Sequence, residues 1–136
     1  MEERNREEIG KITGIHHVSM RCKDPAKFER AVRFYTDILK LPVYRQWGNG
    51  ILLDTGNGLI EIFNNNEGTE EIGAVRHFAL AAVNVDELAG RIQAEGYEVF
   101  IGPKDIVLSS VPEVRARIAF CRGELNEEIE LFDQKQ

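Results

Sequence analysis

Two carboxylates stand where the surrounding residues leave them little water. Glu61 is the middle residue of the run LIEIF; in a strand, Leu59 and Phe63 share its face while Ile60 and Ile62 take the other. Glu130 repeats the arrangement in EEIELF, with Ile129 and Leu131 opposite and Phe132 on its own side. A carboxylate held between apolar faces is costly unless a cation, a donor or a metal compensates it. Each is preceded by a histidine in another apolar run, His17 in ITGIHHVSMRC and His77 in VRHFALAAV. Imidazole nitrogens and carboxylate oxygens are donors that nickel, cobalt, zinc, manganese and iron(II) all accept. One divalent ion held by His17, Glu61, His77 and Glu130 would keep further positions open for water or substrate. A lone strand histidine is more often a core or edge residue, and either glutamate has Arg21, Arg76 or Arg117 as an alternative partner. What sets these four apart is their recurrence at equivalent places. His16 falls on the opposite strand face from His17 and gets no such role.

The elements that must position these groups also recur. A shift of 60 residues superposes His17 on His77, Phe28 on Leu88 and Val32 on Ile92, so strand and helix return in one phase. The first helix is announced by Asp24 as cap and Pro25 in the first turn. Its stripe is Phe28, Val32, Tyr35 and Leu39, and Pro42 stops it. VYRQW and GILLDT read as strands joined through Gly48 to Gly50, and Asn57-Gly58 between ILLDT and LIEIF predicts a type I′ hairpin turn. NNNEGTEEIG reads as a polar linker. In the second half DELAGRIQAEG is a helix with Asp86 near its cap and Gly96 at its end, and YEVFIG, VRARIAFCR and EEIELF are strands. Helices are expected near residues 25–39 and 86–95.

Residues 1–10 are charged and lack an apolar period, and read as a tail. Residues 11–136 read as one domain, with modules over about 12–65 and 74–133. A net charge of -6 and a pI near 5.1 argue against electrostatic binding to nucleic acid or to anionic membranes, and point to a small-molecule partner. No apolar run approaches the roughly 18 residues of a membrane span, and the N-terminal MEERNREEIGK is polar, which predicts a cytoplasmic protein. Cys22 and Cys121 lack CxxC spacing and lie in apolar stretches, so they are expected as reduced, partly buried thiols.

The stretch HVSMRCKDPAKFERAVRFYTDILKLPV resembles the opening of glyoxalase I and its relatives in the vicinal oxygen chelate superfamily, and LIEIF, HFALAAV and IELF are similar to the other three ligand strands of that group. The resemblance spans about residues 12–133. It implies an α+β fold of two βαβββ modules whose curved mixed sheets form a metal-binding cleft. It implies one divalent ion per site, nickel or cobalt ahead of zinc, on His17, Glu61, His77 and Glu130. A ligand carboxylate, Glu130 before Glu61, would double as the proton-transfer base. The implied reaction is that of a lyase or isomerase taking a proton from beside a metal-bound carbonyl, as with a methylglyoxal-thiol hemithioacetal. Arg21 and Asn65, each four residues after a ligand, match the positions that contact the substrate carboxylate in such enzymes. Paired modules in this superfamily come from one chain or are exchanged between two, and a homodimer is expected.

Departures from the family pattern bear on the substrate. Lys40 stands where a Gly usually follows the first helix, CRGELNEEIELF lacks the usual Asp-Pro-Asp-Gly turn, and the segment from Val43 to Glu61 is short. The nearest rival is an epimerase of the methylmalonyl-CoA type, which needs the same proton chemistry. An extradiol dioxygenase or a fosfomycin-inactivating thiol transferase needs only three protein ligands, so the fourth donor counts against both. A metal-free drug-binding module of the bleomycin-resistance type would need none of the four.

Overall fold

Each histidine and its glutamate are far apart in the chain, and a parallel strand pairing brings them together. A computed structural model describes residues 10, 15–64 and 76–135. In the first half, β1 (His17–Arg21) leads into α1 (Pro25–Arg33) and a π-helical turn (Phe34–Ile38), followed by β2 (Val43–Trp47), β3 (Gly50–Asp54) and β4 (Leu59–Phe63). The second half repeats this with β5 (Phe78–Ala81), α2 (Val85–Ala94), β6 (Val99–Leu108), β7 (Val114–Arg122) and β8 (Glu128–Lys135). The sheets are ordered β1-β4-β3-β2 and β5-β8-β7-β6. β4 runs parallel to β1 with Ser19 opposite Glu61, and β8 runs parallel to β5 with Ala79 opposite Glu130. The expected α+β fold of two βαβββ modules is what the chain forms.

One face of each sheet is closed by helix. Ile51, Leu53, Ile60 and Ile62 from the first sheet join Ala119, Cys121, Ile129 and Leu131 from the second in a single core with Ala31, Phe34, Tyr35, Val85, Ala89 and Ile92. Both modules therefore share one hydrophobic interior. Polar ties reinforce it: Tyr35 Oη donates to Glu127 Oε2 (2.7 Å), Tyr97 Oη donates to Glu124 Oε2 (2.8 Å), and Arg30 Nε donates to Glu124 Oε1 (2.5 Å). Glu124 and Glu127 lie in the turn before β8, so one short turn grips the first module's helical segment.

Local signals were met in part. Asp24 caps α1, accepting from the Ala26 amide, with Pro25 at the helix start. α2 is capped by Asn84, whose side chain accepts from the Glu87 amide; Asp86 lies in the first turn, near the cap as expected, where Arg117 donates to it at 2.6 and 2.8 Å. The β3–β4 hairpin exists without a type I′ turn at Asn57-Gly58. Such a turn needs positive φ at both central residues, whereas here only Gly56 has it (φ 107°). The loop is longer and is closed by Thr55, whose amide and hydroxyl both donate to the Gly58 carbonyl. β6 and β8 outrun the expected strands, and His77 immediately precedes β5 rather than lying in it. The N-terminal tail, the greater part of NNNEGTEEIG and Asn65 lie outside the described residues.

Candidate metal centre

The faces left open by the helices carry the predicted donors. In the first sheet, in-register neighbours form cross-strand rows: His17, Leu59 and Asp54; then Ser19, Glu61, Leu52 and Arg45; then Arg21, Phe63, Gly50 and Trp47. Ile60 and Ile62 alternate to the core, so the pleat alone aims Glu61 outward. Its side chain is 14 % exposed, and Oε1 lies 3.6 Å from Nε2 of His17. The second sheet repeats the geometry: Glu130 is 13 % exposed with Oε1 3.4 Å from Nε2 of His77. Both histidine side chains are 40 % exposed. Phe120, opposite Glu130 on β7, meets the His77 ring edge to face at 5.2 Å.

Two donors bound to one ion at about 2.1 Å, at tetrahedral to octahedral angles, stand about 3.0–3.4 Å apart. The His77–Glu130 spacing of 3.4 Å falls at the upper end of that range and the His17–Glu61 spacing of 3.6 Å just beyond it, so a small side-chain adjustment would let each pair take two adjacent positions on a divalent ion. The pairs do not converge within one chain: among the described residues, no cluster of three or more His, Cys, Asp or Glu is placed to hold a metal. The four predicted ligands thus stand as two equivalent His–Glu pairs.

Arg21 is on the same open face, opposite Phe63. Arg117 is engaged by Asp86 and Asp105, which removes it as a partner for either glutamate. The two cysteines are free and buried, and burial pushes the Cys121 thiol up to about 12, which suits a packing role and not a nucleophile. Sequence reasoning passed over Arg45, Trp47 and Phe120. Their strand parity places them on the donor face, and that signal was available once Glu61 and Glu130 had been assigned faces.

Residues 14–111 match the family model for the Glyoxalase/Bleomycin resistance protein/Dioxygenase superfamily, and the chain belongs to that superfamily. The matched span includes His17, Glu61 and His77; Glu130 lies beyond it and is singled out by its geometry. Solved structures agree in fold. A lactoylglutathione lyase from Agrobacterium tumefaciens is similar with a TM-score of 0.62 at 16 % identity, covering 90 % of this chain and 95 % of its own. The fosfomycin resistance protein FosX from Listeria monocytogenes gives 0.68 at 18 % identity, covering 92 % and 96 %. A virulence protein from Salmonella typhimurium gives 0.64 at 16 % identity, covering 90 % and 98 %. No curated protein matches significantly in sequence. Among the described residues, no helix is long and apolar enough to cross a membrane.

Proposed function

We propose that the chain is a metal-dependent lyase or isomerase of the glyoxalase I kind, acting in the cytoplasm as a homodimer. His17 and Glu61 of one copy would face His77 and Glu130 of a second, so that four donors hold one divalent ion, nickel or cobalt before zinc. The observation that carries this reading is the duplication of a His–Glu pair at 3.6 and 3.4 Å on two open sheet faces. Two donors leave an ion underligated, and a second copy related by twofold symmetry supplies the complementary pair twice.

A bound divalent ion would supply Lewis acidity toward a carbonyl oxygen and hold the substrate in place. Glu130 takes the proton from the hydroxyl-bearing carbon beside that carbonyl and returns it to the carbonyl carbon, while the hydroxyl proton passes to the former carbonyl oxygen, so the net reaction is an isomerisation with no change in atoms or electrons. Its low exposure, with Phe120 and Phe132 beside it on the open face, limits competing water. His17 and His77 hold their ring nitrogens toward the carboxylates, and Arg21, on the same open face as Glu61, would receive a substrate carboxylate, with Asn65 as the second contact expected from sequence.

The test is complementation. The double variants His17→Ala/Glu61→Ala and His77→Ala/Glu130→Ala should each fail to bind metal tightly and to turn over methylglyoxal hemithioacetals. Refolded together, they should regain one intact site per mixed dimer, read as bound nickel or cobalt and as activity. A mixed dimer that forms but recovers no metal would overturn the shared site. A substrate panel that includes a methylmalonyl thioester, and fosfomycin with added thiol, separates the rival activities. A wild-type protein that binds no divalent ion would leave the drug-binding reading in its place.

A further inference from the structure

The helical layer, on the other side of the sheets from the His–Glu pairs, holds a cavity of its own. It measures about 420 Å³ and lies where the end of the first module's helical segment meets the end of α2, a volume within the range of small-molecule sites. Arg30, Arg33, Lys40 and Arg91 line it, against two carboxylates, Asp37 and Glu95. In a chain of net charge -6, the lining thus gathers an excess of cations. Basic residues answer the partial negative charge at helix ends, which accounts for Arg30, Arg33 and Arg91 by type. It does not account for Lys40, which stands beyond the helical segment in the left-handed region (φ 62°), where glycine is the unstrained choice. Lys40 is exposed and has no carboxylate partner among the described residues.

The arginines also hold donors that the fold does not use. Arg30 donates from Nε to Glu124, and its terminal nitrogens have no hydrogen-bond partner among the described residues. Arg91 donates from Nε to the Ile38 carbonyl at 3.2 Å and from Nη1 to Glu87 at 3.3 Å, which leaves Nη2. Arg33 has one contact, 3.7 Å from Asp37, between side chains 75 % and 67 % exposed, a pair that water largely screens. A guanidinium carries five N–H donors, and one already tethered through Nε loses less freedom when the others are engaged. We propose that this cleft is a second binding site, separate from the metal centre, for a small anion carrying two or more phosphate or carboxylate groups. Several anionic groups are needed to meet cations of both modules at once, Arg33 and Lys40 from the first and Arg91 from the second. Occupation then clamps the first helical segment to α2. None of this depends on what the His–Glu pairs bind.

A ligand that binds only the folded state raises the melting temperature. The probes are fructose 1,6-bisphosphate and tricarballylate, each compared with sodium chloride at matched ionic strength. At about a hundredfold excess over its dissociation constant, at least one probe should raise the melting temperature by roughly 5–10 °C, and salt should not. The two arms tell a phosphate ligand from a polycarboxylate. Titration calorimetry supplies the dissociation constants. Lys40→Gly relieves the left-handed backbone and so keeps the fold, and Arg33→Gln removes an exposed, loosely paired charge. Together they should raise the dissociation constant tenfold or more, whereas Arg115→Gln, outside the cleft, should leave it unchanged. His17→Ala/Glu61→Ala should bind the probes as the wild type does, which separates the cleft from any anion held by a metal. Four results would each overturn the site: no shift with either probe, a shift that salt reproduces, wild-type affinity in folded Arg33→Gln/Lys40→Gly, or loss of binding in His17→Ala/Glu61→Ala.

Discussion

The two modules carry the same donor pair on the same pair of parallel strands, yet they use their remaining charge differently. In the second module the arginines are turned inward on the protein's own acids. Arg117 bridges Asp86 and Asp105, and Arg122 bridges Glu98 and Glu128 while covering the Phe100 ring at 4.4 Å. In the first module, the exposed Arg45 has its guanidinium 4.8 Å from the Trp47 ring centroid. The second module's β6 and β7 are also nearly twice as long as β2 and β3. The His–Glu pair recurs in both modules, while the charged residues around it differ.

The largest effect expected from this asymmetry is on turnover. Glu130→Gln keeps an oxygen for the metal but loses the base, and should lower kcat about 10²–10⁴-fold at full metal occupancy. Glu61→Gln should mainly weaken metal binding and leave kcat, once the metal is saturating, within about tenfold of wild type, below the range expected for a lost base. Equal losses in kcat for the two variants would erase the functional difference between the modules.

A smaller effect concerns how the modules are joined. Tyr35→Phe strips a buried carboxylate of its hydroxyl donor and should cost about 1–3 kcal/mol in denaturant unfolding. The same junction gives a pH signature. Burial pushes Glu127 above its ordinary value of 4.5, while the Tyr35 hydrogen bond opposes the rise. A raised folded value means that the stabilising contribution is complete below 4.5 and is lost as pH climbs through the folded value. Stability measured across this window should therefore fall with rising pH in the wild type, fall more steeply in Tyr35→Phe, and lose this component in Glu127→Gln. A Glu127→Gln protein with the wild-type slope would remove Glu127 as the source.

The smallest effect compares the two helix exits. The first helical segment leaves through Lys40 in the left-handed region (φ 62°), and the second through Gly96 (φ 91°). A side chain there costs roughly 1–2 kcal/mol, partly offset by the freedom glycine gains when unfolded. Lys40→Gly should stabilise by about 1 kcal/mol and Gly96→Ala should destabilise by a similar amount, both read from urea midpoints. If Lys40→Gly is neutral, the exits differ in more than residue type.

What the chain's local pattern determines is the face on which each group lies. Alternation in LIEIF and EEIELF puts both glutamates opposite their isoleucine and leucine neighbours, and the order of histidine strand, helix and glutamate strand recurs in both halves. The cap at Asp24 and the break at Pro42 were equally local, and equally legible. The capping role of Asn84 was not, because it goes with a left-handed backbone at that residue (φ 60°), which the neighbouring residue types do not announce. Nor was the positive φ of Lys40 derivable from its own type, although its place where relatives carry glycine pointed to that exit.

Only the tertiary structure decided distance. Period and propensity are silent on which strands become neighbours. That choice comes from burying both sheets against a shared helical layer, and it sets β4 beside β1 and β8 beside β5. The same packing keeps the two His–Glu pairs apart within one chain, so sequence could mark four residues but not that they stand as two separate pairs. It also lays Trp47 over Gly50 and turns Arg45 to an open edge, because ring stacking across strands depends on register, a property of the folded pair and of neither segment alone.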